Sequence, residues 1–290
     1  MPDDLIEYAV DKLQKTRSSP AARCKVCGGE SNPFDMVDFY KSCEKTLYPF
    51  GLSGIPVIYR KCGECEFIFT DFFDDFTSEQ WVRYVYNDEY YAKLDPDYLS
   101  VRPRQTARDF IAFLAGRKRS TIGLDYGGGN GRTAALMREN GWIFDSYDPF
   151  DYTDVSQERI GHYNFCSAIE VFEHTPDPAG TLRAILAMTS ADRLIIYFNT
   201  GVHDLKVSPE KRLTWKYVAP RNGHISIYSS KSLQLLAAGC GLTFSSLRAG
   251  SHTHLFTRGI SESSAHSLLV RGKLLRRGLT ALKMWRHGLA

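Results

Sequence analysis

Hydrophobic positions follow different periods in different parts of the chain. Residues 3–16 place Leu5, Ile6, Ala9, Val10 and Leu13 at helical spacing, which predicts a short amphipathic helix. A Ser-Ser-Pro break at 18–20 ends it. Glu66-Phe-Ile-Phe-Thr70 reads as a strand, and the acidic aromatic run Asp71–Phe76 as a linker. Thr77 or Ser78 then caps a predicted helix over 79–86. Beyond residue 107 short apolar runs are separated by helical segments, as in an α/β domain. Such runs end at Asp125, Asp148, Glu170 and Phe198. The first is followed by a helix over 133–140, and the third by Asp177 as N-cap with Pro178 at the first helical position. Leu242–Leu247 and His252–Thr257 predict a closing antiparallel hairpin.

The first of these runs leads into the most informative stretch, Thr121-Ile-Gly-Leu-Asp-Tyr-Gly-Gly-Gly-Asn-Gly-Arg132. Strand, glycine turn and helix in that order bring bare backbone and a helix N-terminus up to a ligand. A dinucleotide fingerprint needs glycine at the first, third and sixth positions; counted from Gly127 the sixth is Arg132, so that reading fails. The Gly-Lys-Ser/Thr of a phosphate loop is also absent. Asp148, at the tip of the next predicted strand, stands where a carboxylate accepts the ribose hydroxyls of an adenosine. Asp145 is its competitor but falls inside the strand.

Composition adds a metal. Seven cysteines are an odd number, and four form the pairs Cys24-x-x-Cys27 and Cys62-x-x-Cys65, each with glycine nearby. Four thiolates complete a closed tetrahedral zinc site, and such a zinc is structural. Paired disulfides are the alternative. Thirty-four residues separate the pairs, so the intervening segment must loop out or add strands. Cys43 lies between them as a small buried residue rather than a ligand. The chain opens Met1-Pro-Asp-Asp, without a cationic–apolar leader, and has no apolar run long enough for a membrane. A cytoplasmic protein is the expectation. A net charge of +3 gives no argument for a nucleic-acid partner. The tail from Ser267 carries Arg271, Lys273, Arg276, Arg277, Lys283 and Arg286 with no acidic residue. A basic amphipathic helix there can touch an anionic membrane or dock on protein.

Asp-x-Gly-x-Gly-x-Gly, from Asp125 to Gly131, resembles the first motif of the class I S-adenosylmethionine (SAM) methyltransferases. Glu170-Val-x-Glu173-His174-x-x-Asp-Pro178 is similar to a signature of the same superfamily. The resemblance implies an α/β fold with a Rossmann-like seven-stranded sheet, carrying a small N-terminal zinc ribbon and a C-terminal basic helix. The expected divisions are 1–76 for the N-terminal helix and zinc ribbon, 77–258 for the methyltransferase domain and 259–290 for the tail. It implies SAM held by Asp125, Gly127, Gly129, Gly131, Asp148 and Glu170. Arg102, with Arg104 as its rival, would pair the methionine carboxylate.

Chemistry is expected from Glu173, His174 and His224. In the resembling O-methyltransferases of small RNA ends and of the ubiquinone pathway, the Glu-x-x-Glu-His pattern and a later histidine hold a divalent ion. Here that would be Mg²⁺ or Mn²⁺ at Glu170, Glu173, His174 and His224. The resembling sugar C-methyltransferases, which share the cysteine module, use the histidine matching His224 as a base. This tail is too short for their additional C-terminal domain, and the surface charge is too low for the RNA enzymes. The plainer readings leave Glu170 beside the adenosine and His174 capping a turn. The expected activity is methylation of a hydroxyl on a small polar acceptor, a sugar or sugar-linked metabolite. The alternatives are C-methylation with His224 as base, or a zinc-ribbon adaptor that has lost activity.

Overall fold

The computed structural model describes residues 2–248 and 250–286, with side chains of the last helix described as far as Leu274. The elements run α1 (Asp3–Ser18), β1 (Ala22–Arg23), β2 (Glu30–Asp38), β3 (Pro56–Cys62), β4 (Ile68–Phe69), α2 (Ser78–Tyr84), α3 (Asp88–Lys93), α4 (Val101–Phe113) and β5 (Ile122–Tyr126). They continue with α5 (Arg132–Glu139), β6 (Ile143–Tyr147), β7 (Phe165–Ile169), α6 (Pro178–Met188), β8 (Leu194–Asn199), β9 (Ser226–Ile227) and α7 (Ser230–Gly239). Then come β10 (Thr243–Ser246), β11 (Thr253–Arg258) and α8 (Glu262–Arg286). By backbone contacts the chain divides into two units. One comprises Met1–Pro96, Glu170–Leu182 and Thr200–Cys240; the other comprises Asp97–Ile169, Arg183–Asn199 and Gly241–Ala290. These units interleave along the chain, whereas the division expected from the sequence is linear.

The second unit, which carries the glycine turn, holds a mixed sheet in the order β10-β11-β8-β7-β5-β6. Pairing is parallel from β6 through β8 and antiparallel for β11 and β10. The predicted hairpin therefore closes the sheet, with Phe244 opposite Phe256. Central strands covered on both faces read as apolar runs, and Leu124, Phe165, Cys166 and Ala168 are all buried. Phe110 of α4 packs among Phe144, Phe165 and Tyr197 at ring separations of 5.4–6.1 Å.

Seven strands were expected, and six are present among the described residues. The strand missing beyond β6 would fall in 148–164, where the chain instead makes a short 3₁₀ turn at Gln157–Arg159. The reason lies in its composition. Asp151-Tyr-Thr-Asp-Val-Ser-Gln-Glu-Arg159 has no alternating apolar face to bury. Asp154 instead covers the β6 edge, its carboxylate accepting from Ser146 N–H at 2.6 Å and its own N–H donating to Ser146 O at 3.0 Å.

The first unit, which carries the cysteines, has an antiparallel sheet in the order β1-β2-β3-β4-β9. The thirty-four residues between the cysteine pairs supply most of β2 and β3, so that segment adds strands as the spacing required. β9 was not foreseen here: Ile68 pairs with Ile227 and Phe69 with Ser226, recruiting the piece after His224 into the cysteine sheet. Leu5 and Ala9 of α1 join Val57, Tyr59, Ile68, Ile225 and Ile227 in the core. Ile6 and Val10 stay exposed, so the buried stripe of α1 is narrower than its apolar pattern. Thr77 caps α2 in a capping box with Gln80, which satisfies two helix-end donors.

No helix among the described residues is long and apolar enough to cross a membrane. α8 begins at Glu262, and Arg271 and Lys273 fall within its described part. The side chains of Arg276, Arg277, Lys283 and Arg286 lie outside the described residues, so the membrane contact expected of the tail rests largely on positions about which nothing is said.

Candidate functional sites

β5 ends at Tyr126, and the backbone then turns through Gly127, Gly129 and Gly131 at φ of +72°, +54° and +71°. Side-chain-bearing residues disfavour that region. Space imposes the same choice: a Cβ on Gly129 would collide with the Tyr98 hydroxyl, and one on Gly131 with the Tyr152 ring. Gly131 is the N-cap of α5, whose first N–H groups carry the positive end of the helix dipole. Asp148 lies one residue past β6. Its Oδ2 accepts from Gly129 N–H and its Oδ1 from Phe150 N–H, each at 2.9 Å. Carboxylate oxygens accept more than one bond, so this arrangement fits the adenosine ribose. Asp145 is spent inside the fold, bonded to Tyr163 Oη at 2.5 Å and to Arg159 at 2.6 Å.

Asp125, the motif's acidic residue, is buried at the end of β5 and accepts from Ser167 Oγ at 2.6 Å. Burial pushes its carboxyl up to about 6, against the Ser167 bond that favours the ionised form. It is part of the floor of the turn. Arg102 stands half-buried in the first turn of α4, its N–H bonded to Asp97 O at 3.0 Å. Of the two side chains that lie on the glycine turn, Tyr152 at Gly131 and Tyr98 at Gly129, Tyr98 comes from the segment ahead of α4. Sequence reasoning missed it, and the density of tyrosines between 84 and 98 was the one available signal.

In the cysteine unit Cys24, Cys27, Cys62 and Cys65 bring their sulfurs within 4.8 Å of one another. Cys24–Cys65 and Cys27–Cys62 Sγ atoms are 3.5 Å apart, far beyond a disulfide length. The two loops are near copies. Cys24 N–H donates to Gly29 O and Gly28 N–H to Cys24 O; Cys62 N–H donates to Phe67 O and Glu66 N–H to Cys62 O. Val26, Glu64 and Cys65 N–H groups lie 3.4–3.5 Å from the Cys24 and Cys62 sulfurs, so backbone dipoles face the positions of thiolate charge. Four converging soft donors with no open position fit zinc.

The same unit holds a second convergence. Glu170, Glu173, His174 and His224 each place one ligand atom within 4.8 Å of the others. Glu170 adopts φ +54°, a strained conformation costing about 1–3 kcal/mol for a residue with a side chain. Glu173 is fully buried; its Oε1 accepts from Tyr217 Oη, and its Oε2 has no partner. Burial, reinforced by Glu170, drives its carboxyl well above the usual range. His174 Nδ1 lies 3.1 Å from Gly223 O and 3.0 Å from Tyr86 Oη. His224 Nδ1 lies 2.8 Å from Tyr217 O. A carbonyl only accepts, so the contact with Tyr217 O puts a proton on His224 Nδ1, whereas His174 Nδ1 faces both a carbonyl and a phenol that can donate to it. Metal-binding histidines are commonly oriented this way. The expected groups Glu173, His174 and His224 are thus brought together, and Glu170, expected both at the cofactor and in a divalent-ion site with these three, lies with them. Tyr86 and Tyr217 support the cluster and were not singled out in the sequence.

Residues 98–247, just over half of the chain, match the family described as methyltransferase domain. The chain belongs to this family, the SAM-dependent methyltransferases. Among solved structures the methyltransferase is similar to mitomycin 7-O-methyltransferase MmcR at 13% identity and a TM-score of 0.42, covering 59% of this chain and 58% of that one. The chain therefore spans less than two thirds of that relative's length. It is also similar to the plantazolicin methyltransferase BpumL in complex with SAH (16% identity, TM-score 0.41, covering 68% and 87%). A third is magnesium protoporphyrin IX methyltransferase (ChlM) from Synechocystis PCC 6803 with bound SAH (15% identity, TM-score 0.39, covering 64% and 95%). No curated protein matches the methyltransferase in sequence.

Proposed function

We propose that this methyltransferase moves the SAM methyl group to a hydroxyl oxygen of a small polar acceptor, a sugar or sugar-linked metabolite, with a divalent cation held by Glu170, Glu173, His174 and His224. The observation that carries the reading is the buried, unpartnered Oε2 of Glu173 within a cluster where Glu170, Glu173, His174 and His224 each bring one ligand atom within 4.8 Å of the others. A buried carboxylate left half-answered costs folding free energy, and a cation in the cluster removes that cost. Two imidazoles and two carboxylates suit Mn²⁺ better than Mg²⁺, which favours oxygen ligands. When bound, the ion supplies Lewis acidity toward the acceptor hydroxyl, and SAM supplies a methyl group already activated on a sulfonium.

The chain's own residues do the remaining work. Glu170 and Glu173 contribute the two negative charges that balance a divalent ion. Tyr217 O accepts from His224 Nδ1, and Gly223 O and Tyr86 Oη flank His174 Nδ1, so both rings are oriented from that edge. Asp148 and the glycine turn hold the adenosyl group, and the cysteine site holds a structural zinc.

The test is cation dependence with the zinc retained. Activity on a panel of nucleotide sugars and free sugars should require added Mn²⁺ or Mg²⁺. Glu173→Ala and His224→Ala should each lower turnover by about 10²–10⁴-fold, with Mn²⁺ binding lost in both. Full activity after removal of the cation, with only His224→Ala inactive, would instead support His224 as a base.

A further inference from the structure

Tyr217 touches two members of the Glu/His cluster through three different features. Its hydroxyl donates to Glu173 Oε1. Its carbonyl accepts from His224 Nδ1 at 2.8 Å, and its ring packs on the His224 ring at 4.3 Å. Thr200 Oγ1 lies 3.4 Å from the phenol oxygen, and Trp215 stacks on the ring at 4.9 Å and 24°. Gly201 is glycine for the same reason: a Cβ there would come within 2.6 Å of the Tyr217 ring and 2.7 Å of Trp215.

The loop bearing Tyr217 is itself held. Lys41, 3% exposed, donates to the carbonyls of Leu213, Trp215 and Val218 at 3.0, 2.8 and 2.7 Å. Three carbonyls answer the three ammonium hydrogens, so the six residues of backbone from Leu213 to Val218 are pinned from one buried point.

We infer that Tyr217 is a positioning residue that decides which oxygen of Glu173 faces the cation and holds that carboxylate to one-oxygen coordination. The inference rests on the cation reading above. Oε1 already accepts from the phenol, so Oε2, which has no partner, is the oxygen with both lone pairs open to the ion. One-oxygen coordination suits a small ion such as Mn²⁺, whereas Ca²⁺ takes more oxygens and accepts two from one carboxylate. Tyr217 therefore tunes which ion the cluster prefers as well as how tightly it binds.

The experiment is calorimetric titration of zinc-loaded, otherwise cation-free protein with Mn²⁺ and separately with Ca²⁺, for the wild type, Tyr217→Phe and His224→Ala. Tyr217→Phe keeps the ring and the carbonyl and removes only the phenol oxygen. It should weaken Mn²⁺ about 10–100-fold, the usual cost of losing a residue that orients a ligand, and weaken Ca²⁺ much less. The Mn²⁺-to-Ca²⁺ preference should then fall at least about tenfold. Equal loss for both ions means that Tyr217 merely braces the loop and overturns the inference, as does no change for either. Wild-type protein that binds no Mn²⁺, or binds it equally in His224→Ala, overturns the cation reading itself and this inference with it. Should Tyr217→Phe fail to fold, infrared spectra of the wild type with and without Mn²⁺ decide: a one-oxygen carboxylate splitting supports the inference and a two-oxygen splitting overturns it.

Discussion

Asp125 and Glu173 are both buried carboxylates just past or within a strand end, yet the fold treats them differently. Asp125 has its hydrogen bond from Ser167, made within the sheet that carries it. Glu173 has one oxygen answered by Tyr217 and the other unanswered. In the glycine-turn region the one buried carboxylate is answered, and the orphaned group beside it, Ser146 Oγ, is a neutral hydroxyl. The Glu/His region leaves a buried carboxylate oxygen unanswered beside a second glutamate. A protein that tolerates an unpaired buried carboxylate beside a second glutamate, at a strained Glu170 backbone, gains something at that point. On the proposed reading, that gain is cation binding.

The largest effect expected from breaking this comparison is in the cysteine unit, the one that holds both clusters of converging ligand atoms. Cys62→Ser should remove zinc, from one per chain to none by elemental analysis. Structural zinc supplies on the order of 10 kcal/mol to small modules, so hydrogen-exchange protection across residues 22–69 should disappear. Strands β5 and β6 should keep theirs. Retained protection without zinc would mean that the cysteines only pack.

Next comes Asp125. Its folded value of about 6 lies above the ordinary 3.8, so its contribution to stability is present in full below about pH 4 and lost as pH rises through 6. The shift corresponds to about 3 kcal/mol. Asp125→Asn should remove this loss, so the stability difference between wild type and variant, by urea denaturation without SAM or added cation, should change by about that much between pH 4 and 7.5. A difference that stays constant with pH would show that Asp125 is not the buried acid described.

The smallest effect concerns the cofactor. Asp148→Ala should weaken SAM by about 1–3 kcal/mol through loss of charge-assisted ribose bonds, measured by calorimetry. Unchanged affinity would leave the carboxylate as a mere brace for Gly129 N–H.

Much of the glycine-turn region was legible in the chain, because its determinants are local. Alternate glycines need positive φ, apolar runs need burial, and Asp148 follows its strand directly. The closing hairpin was readable for the same reason. What failed was the expected seventh strand, because a count taken from the resembling family does not show that residues 148–164 lack an apolar face. The cation cluster was half legible. Glu170, Glu173 and His174 are contiguous enough to form a motif, but Tyr217 reaches Glu173 across 44 residues of sequence. Tyr86 approaches His174 across 88. A lone tyrosine in a polar insertion carries no periodic signal, and its role appears only when the fold brings the segments together.

The pairing of β4 with β9 has a consequence for how the protein is made. Ile68 and Ile227 are neighbours in a sheet but 159 positions apart in the chain, counted as 227 minus 68. During synthesis the four cysteines have all emerged by residue 65 and can gather around an ion, while the outer edge of β4 waits for a strand that has yet to be translated. At about 5–20 residues per second that interval lasts on the order of ten seconds or more. Closing so long a loop is also entropically slow. Throughout that wait the nascent chain presents Phe67, Ile68 and Phe69 along an uncovered strand edge, a segment that chaperones bind and that sticks to other chains. A metal captured by the four cysteines at that stage would fix the neighbouring turn before its partner strand exists.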